Sequence, residues 1–231
     1  MENFLMQALS WETLILNDGT IYLILKVIDS FVSQSRGNES IQTVGLCPHA
    51  FKGHGDDVWD KFGQAIGNLQ SLESLNIFAP NHDDDEVVSN HHWEILARIL
   101  SHVRQRIKLS IIPGVINSLA WRAEDSRSLA RVIHGHPTIT RFEDSGMLPY
   151  ESLDVLYSAL ATLPTLESLS LSKGKVSTRM EDESALVNPK ILTELLRVPT
   201  LWDVSISELY FTRSLCQAAA NALMEGTAIT N

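Results

Sequence analysis

Histidines and carboxylates cluster in two stretches of the sequence. Side chains of these types can bind metal ions and activate water for hydrolysis. The residues are His49, His54, Asp56 and Asp57 in the first stretch, and His82, Asp83, Asp84, Asp85, Glu86, His91 and His92 in the second. If both stretches are loops at one edge of a parallel sheet, their imidazoles and carboxylates can converge on a metal. No regular element fixes the spacing of any pair, so we expect solvated loops that hold no metal and no cofactor.

Motifs of other catalytic chemistries are absent from the sequence. There is no Gly-rich phosphate loop followed by Lys, no nucleophile elbow, no Cys pair with zinc spacing and no His-Glu-x-x-His helix. We therefore expect a protein that is not an enzyme. Metal-dependent hydrolysis at the histidine- and aspartate-rich loops is the competing hypothesis.

The elements that would position these residues are repeated along the chain. Three Pro-Thr turns each follow an apolar helical run and open an alternating apolar segment: His136-Pro137-Thr138-Ile139, Leu163-Pro164-Thr165-Leu166 and Val198-Pro199-Thr200-Leu201. One turn that recurs in this way is typical of a solenoid, which uses a single supersecondary unit many times.

The segment after each turn fits a template of three apolar anchors, with two variable residues after the first anchor and one after the second. The clearest anchors are Leu72, Leu75 and Ile77, then Leu166, Leu169 and Leu171, then Leu201, Val204 and Ile206. The middle anchors of all copies lie at 14, 44, 75, 109, 142, 169 and 204, and Asp144 occupies the third place of one weaker copy. The template predicts strands at 12–16, 42–46, 73–77, 107–111, 140–144, 167–171 and 202–206.

The intervening segments have the apolar period of helices, each with one face to bury. They lie at 58–69, 93–103, 128–133, 150–163, 191–198 and 215–224. Asn188-Pro189 is typical of a helix start. Gly37, Gly67, Gly135 and Gly226 lie where a left-handed exit from a helix is predicted.

Alternation of strands and helices predicts an α/β fold with parallel strands on one side and helices on the other. The pattern resembles the leucine-rich repeat family, and the repeat length points to its ribonuclease-inhibitor-like branch. The resemblance implies one domain over residues 1–231, a right-handed solenoid of about seven repeats with a curved parallel sheet, outer helices and an incomplete last repeat. The chain looks like a divergent member, because the turn after each strand lacks the family's Asn or Cys.

Composition limits the classes of partner and the cellular compartment that we expect. The net charge of −10 disfavours nucleic acid and anionic membranes. No signal peptide is apparent, and the apolar run at 21–28 is too short to cross a bilayer. Cys47 and Cys216 are expected to remain unpaired, as in a reducing compartment, so we expect a cytoplasmic or nuclear protein.

Residues between the anchors should face away from the core. They are Thr13, Ile15, Thr43, Gly45, Ser74, Asn76, Lys108, Ser110, Arg141, Glu143, Ser168, Ser170, Asp203 and Ser205. The resemblance implies that this sheet face binds partners, and the candidate binding residues are Lys108, Arg141, Glu143 and Trp202. The competing interpretation is a charge cluster of little energetic consequence, with Trp202 packed against a loop.

The resemblance implies a non-catalytic scaffold for interaction with an unidentified protein partner. Two other roles known in the family are alternatives: a regulator of a small GTPase, and a fragment of a ubiquitin-ligase substrate receptor. The last repeat has no polar cap, so we expect either a longer repeat array or self-association through the uncapped C-terminal end.

Overall fold

The protein is described by a computed structural model, and it is an α/β structure in which seven parallel strands follow one another in sequence order. The structure describes residues 10, 12–51, 53–79, 90–112, 121–145, 148–149, 152–172, 188–207 and 213–225. The strands are β1 (Thr13–Leu16), β2 (Thr43–Leu46), β3 (Ser74–Phe78), β4 (Ile107–Ile112), β5 (Ile139–Asp144), β6 (Ser168–Leu171) and β7 (Asp203–Ile206). Each strand begins and ends within one residue of its predicted span, which confirms the strand prediction.

Within the described residues, eight α-helices and one 3₁₀ helix connect or follow the strands. The α-helices are α1 (Asp18–Leu25), α2 (Ile28–Ser35), α3 (Asp56–Gly67), α4 (Asn90–Ser101), α5 (Ala123–Ile133), α6 (Leu153–Leu160), α7 (Pro189–Leu196) and α8 (Arg213–Glu225). The 3₁₀ helix is Pro48–Ala50. All six predicted helices are present, with ends that differ by a few residues. The predicted start of α7 is confirmed, because the Asn188 side chain accepts a hydrogen bond from the Lys190 N–H.

The link between β1 and β2 contains two helices that the sequence did not predict. The side chain of Asn17 caps α1 by accepting a hydrogen bond from the Thr20 N–H at 3.1 Å. At the other end, the Val27 N–H donates to the Ile24 carbonyl at 2.9 Å, and this tightened turn ends the helix. The carbonyl of Val27 then accepts from Phe31 N–H at 2.9 Å as α2 begins.

The predicted anchors form the core. Those of β2 to β6 are buried, including Leu169 at 1% exposure. Asp144 is buried as well, at 3% exposure, although it stands where most repeats have Leu or Ile. Burial of a leucine side chain contributes roughly 1.5–3 kcal/mol, so the anchors are the main source of stability. In β7, by contrast, Val204 and Ile206 are only half-buried.

Contacts between residues divide the chain into two compact units. Unit 1 comprises residues 1–110 and 114–119, and unit 2 comprises residues 111–113 and 120–231. In unit 1 the middle anchors of β1, β2 and β3 are in register, and in unit 2 those of β5, β6 and β7 are in register. Each unit therefore has its own row of anchors, and the one-domain assignment stays a prediction.

Threonine hydroxyls tie the repeated Pro-Thr turns of unit 2 to one another. The Thr165 hydroxyl donates to the carbonyls of Pro137 and Ile139, at 3.0 Å in each case. The hydroxyl of Thr200 donates to the Leu166 carbonyl at 2.6 Å. The threonine thus recurs because it satisfies a carbonyl in the turn of the preceding repeat.

Backbone hydrogen bonds in unit 2 extend beyond the strands. The Ser172 N–H donates to the Asp144 carbonyl at 3.1 Å, and the Ser207 N–H donates to the Leu171 carbonyl at 2.9 Å. The ladder of each pair therefore continues one residue past the strand.

Two of the four predicted glycine exits are confirmed. Gly37 and Gly135 have φ of 73° and 65°, in the left-handed region. The prediction for Gly67 was wrong: it is the last residue of α3, and a Cβ atom there would collide with the His102 carbonyl. Glycine is needed at 67 for close approach of the backbone, not for its φ. Gly226 lies outside the described residues.

Candidate protein-binding surface

The polar side of the sheet in unit 2 carries a row of three side chains with opposite charges at its ends. Strand pairing places Arg141, Ser168 and Asp203 beside one another across β5, β6 and β7. Both charged residues are exposed, and the Ser168 hydroxyl donates to Asp203 Oδ2 at 2.8 Å. Adjacent strands are about 4.8 Å apart, so the backbones of Arg141 and Asp203 are about 10 Å apart. We call these three residues the charged row.

A second row lies two residues further along the same strands. It consists of Glu143, Ser170 and Ser205, which are also in register. We call it the serine row. Because the middle positions of both rows are serines, this side of unit 2 has a floor of small polar side chains.

Trp202 precedes β7 and is 51% exposed. Its backbone is fixed, since its N–H donates to the Glu167 carbonyl at 3.0 Å. The Asp203 N–H donates to the same oxygen at 3.1 Å. A held backbone with half of the indole accessible to solvent is the geometry expected of an aromatic anchor.

The corresponding face of unit 1 is uncharged across its first three strands. Thr13, Thr43 and Ser74 are in register across β1, β2 and β3. The next row begins with Ile15, which is 42% exposed, and continues with Gly45. This face therefore offers hydroxyl groups beside an aliphatic side chain.

Phe78 adds an aromatic ring to the face of unit 1, and sequence analysis missed it. A Cβ atom on Gly45 would lie 2.6 Å from Phe78 Cε2 and 3.6 Å from Ile15 Cγ1. The ring therefore lies over Gly45, which is buried although the alternation predicted an exposed position. The template ended at Ile77, but the strand continues for one more residue.

Lys108, Arg141 and Glu143 were predicted to form one charged spot. Lys108 lies on β4 within unit 1 and is half-buried, and its N–H donates to the Glu73 carbonyl at 2.8 Å. Arg141 and Glu143 lie in unit 2, on the same side of β5 and two residues apart. The structure thus brings Arg141 and Glu143 together, and the inclusion of Lys108 stays a prediction.

Part of the histidine- and aspartate-rich loops lies outside the described residues, namely residues 82–89 and the side chain of His49. In the part that is described, no group of three or more His, Cys, Asp or Glu side chains could hold a metal ion. The His54 ring meets the edge of Trp59, with centroids 6.3 Å apart. Asp56 forms an ion pair with Arg98. His91 Nδ1 lies 3.9 Å from Glu94 Oε2.

Ion pairs join neighbouring helices of unit 1. Arg98 of α4 reaches Asp56 Oδ2 at 2.9 Å and Asp60 Oδ2 at 3.2 Å, both on α3. His102 Nε2 lies 3.5 Å from Asp60 Oδ1. The Arg98 side chain is partly exposed, so each of its two ion pairs contributes about 0.2–1 kcal/mol. Asp56, one of the carboxylates predicted as a possible metal ligand, thus helps to hold two helices together.

A further ion pair connects α2 and α3 in unit 1. Lys61 Nζ donates to Asp29 Oδ1 at 2.7 Å. This hydrogen bond, and secondarily the charge of the same carboxylate, raise the pKa of the Lys61 ammonium above its usual value. The pair lies on the surface, where salt screens it.

No family model matches the sequence, and no curated protein matches it. None of the helices in the described ranges has the length and apolar character needed to cross a membrane. Neither cysteine forms a disulfide; Cys47 is buried and Cys216 is exposed.

Proposed function

We propose that this chain is a non-catalytic scaffold that binds a protein partner through the polar side of its parallel sheet. The proposed architecture is a right-handed leucine-rich repeat solenoid of the ribonuclease-inhibitor-like branch. The strand order, the parallel pairing and the helix after each strand support that architecture. No cofactor is part of the proposal.

The observation that carries the proposal is the division of side chains between the two sides of the strands. Leu169 of β6 is buried, whereas Ser168 and Ser170 on either side of it are partly exposed. Arg141 and Trp202, both exposed, belong to the residue types that contribute most to protein interfaces. A row of small polar residues flanked by such anchors supports recognition of a protein surface.

The charge and the cysteines support a particular kind of partner and compartment. A net charge of −10 repels phosphate backbones and anionic lipid, so the proposed partner is a protein. Neither Cys47 nor Cys216 forms a disulfide, which is consistent with a reducing environment, and we propose a cytoplasmic location for the scaffold.

The β7 end is the proposed site of self-association. Val204 and Ile206 are half-buried, while the anchors Leu169 and Leu171 of the preceding strand are each 1% exposed. A second copy of the chain that packs against β7 would cover these side chains. Sedimentation at micromolar concentrations tests this, and a monomer at all concentrations would refute it.

Affinity capture from cell extract, with mass spectrometry of the bound proteins, tests the scaffold function. Arg141→Glu and Trp202→Ala should each weaken capture of the principal partner by about thirtyfold or more, as loss of an interface hot spot does. Arg127→Glu, an exposed charge reversal on α5, is the matched control and should leave capture unchanged. A partner retained equally by all variants would refute binding through the sheet.

A further inference from the structure

We propose that the charged row binds a protein α-helix that carries an acidic residue and, seven residues later, a basic residue. This inference rests on the proposed scaffold function and names the kind of partner. It depends on the charges at the two ends of the row, on the distance between them and on the small residues that lie between.

The two ends of the charged row require opposite charges on the partner. Within the described part of the chain, Arg141 forms no ion pair, and its guanidinium is exposed. Asp203 is exposed too, but the Ser168 hydroxyl already orients its carboxylate. A carboxylate of the partner therefore fits opposite Arg141, and a cationic side chain fits opposite Asp203.

The distance along the row fits a helix. Two strand spacings separate the end residues by about 10 Å. Seven residues of α-helix rise about 10.5 Å and turn through about 700°, so the first and last side chains share a face. Same-face residues of a bound strand would be about 7 or 13 Å apart, and neither spacing matches the row.

Small side chains leave room for a helix between the charged ends. Ser168 lies in the middle of the charged row, and Ser170 and Ser205 lie beside it in the serine row. A helix can approach such a floor closely, because no long side chain keeps it away.

The order of the two charges on the partner follows from the helix dipole. An acidic residue is favourable towards the N-terminus of a helix, and a basic residue is favourable towards its C-terminus. The partner helix therefore runs from β5 towards β7, with its acidic residue first.

NMR titration of the ¹⁵N-labelled full chain with two alanine-based helical peptides tests the inference. One peptide carries Glu and Lys seven residues apart. The other has the same composition with the two residues five apart, on opposite sides of the helix. The first should bind about threefold to tenfold more tightly and shift the amide signals of Arg141, Ser168 and Asp203. Equal binding, or shifts confined to other residues, would overturn the proposal.

A charge exchange provides the second arm. The double variant Arg141→Glu, Asp203→Lys should prefer a peptide in which Lys comes first and Glu follows seven residues later. Exchange of Glu124 and Arg127 on α5, as Glu124→Arg with Arg127→Glu, is the control and should leave the original preference unchanged. An unchanged preference in the first double variant would overturn the proposal.

Failure of this inference can be told apart from failure of the scaffold function. If neither peptide binds but Arg141→Glu still abolishes capture of a protein partner, the helix is wrong and the binding face is right. If capture is insensitive to Arg141 as well, both proposals fail.

Discussion

The two units hold their repeats together in different ways. In unit 1, ion pairs such as Lys61–Asp29 and Arg98–Asp60 connect neighbouring helices. The Gln105 amide of unit 1 also connects neighbouring turns, because it donates to the carbonyls of Gly67 and Leu69. In unit 2, the hydroxyls of Thr165 and Thr200 connect neighbouring turns. The anchors are nevertheless in register across three strands in each unit. The anchors therefore set the repeat, while the polar contacts around them can differ from one repeat to the next.

The sheet faces differ as well. The first three strands of unit 1 present hydroxyls and an aliphatic and aromatic pair, Ile15 and Phe78. Unit 2 presents the charged row, with Arg141 and Asp203 at its ends. The same backbone therefore carries two chemically distinct surfaces, and the proposed recognition by charge concerns the second.

The largest effect should come from the anchors and should be equal in the two units. Leu75→Ala in unit 1 and Leu169→Ala in unit 2 should each lower the free energy of unfolding by about 2–5 kcal/mol. Ser168→Ala, on the other side of β6, should change it by under about 0.5 kcal/mol. Chemical denaturation measures all three. Equal effects at 168 and 169 would show that the assigned strand register is wrong.

Substitution of Gly67 and of Gly135 should lower stability for different reasons. Gly67→Ala should cost about 1–3 kcal/mol because its Cβ meets the His102 carbonyl. Gly135→Ala has open space but a left-handed backbone, so it should cost about 1–2 kcal/mol. Asparagine tolerates that backbone, so thermal melts should show rescue by Gly135→Asn and none by Gly67→Asn. Rescue at both positions would contradict the close contact at Gly67.

The threonine ties of unit 2 should contribute moderately and independently of salt. Thr165→Val keeps the shape but removes two hydrogen bonds, so the free energy of unfolding should fall by about 0.5–1.5 kcal/mol. Thr43→Val, on the sheet face of unit 1, is the matched control. Chemical denaturation of the wild type and both variants measures the difference. Equal losses of stability in the two variants would contradict a stabilising role for the Thr165 hydrogen bonds.

The ion pairs of unit 1 should contribute less and should depend on salt. Arg98→Met should cost about 0.2–1 kcal/mol at low ionic strength, and the loss should shrink towards zero in about 1 M salt. Arg104→Met removes an exposed charge nearby in the sequence and is the control. A loss that persists in high salt would mean that the arginine acts through packing.

The smallest effect concerns the pH dependence of the Lys61–Asp29 pair. The pKa of Lys61 is raised in the folded protein, so the pair's contribution is fully present below the unfolded pKa and is lost as pH rises through the folded one. The difference in melting temperature between wild type and Lys61→Met should be constant from about pH 7 to 9 and disappear at more alkaline pH. A difference that grows with pH would contradict the assigned partner.

The strands could be predicted because each anchor pattern fixes both the spacing of the apolar residues and the side of the strand on which they lie. Copies such as Leu166, Leu169 and Leu171 allow only one register in a half-buried strand. The helices of residues 18–35 were missed because the run at 21–28 is apolar on successive residues and carries no clear helical period.

The candidate surface was only partly predictable. Alternation located Arg141 and Asp203 on one side of the sheet, but their alignment with Ser168 depends on strand register. Phe78 was missed because the anchor template stopped one residue earlier. The role of Gly67 and the pairing of Asp56 with Arg98 depend on which helix surfaces meet, and no local pattern encodes that.

Site-specific photo-cross-linking tests the central claim, that a protein partner lies on the sheet face, most directly. A photoreactive amino acid in place of Ser205 on β7 should capture the partner in cell extract. The same amino acid in place of Ser158, an equally small exposed residue on α6, should not. Capture from Ser158 alone, or from neither position, would contradict the account.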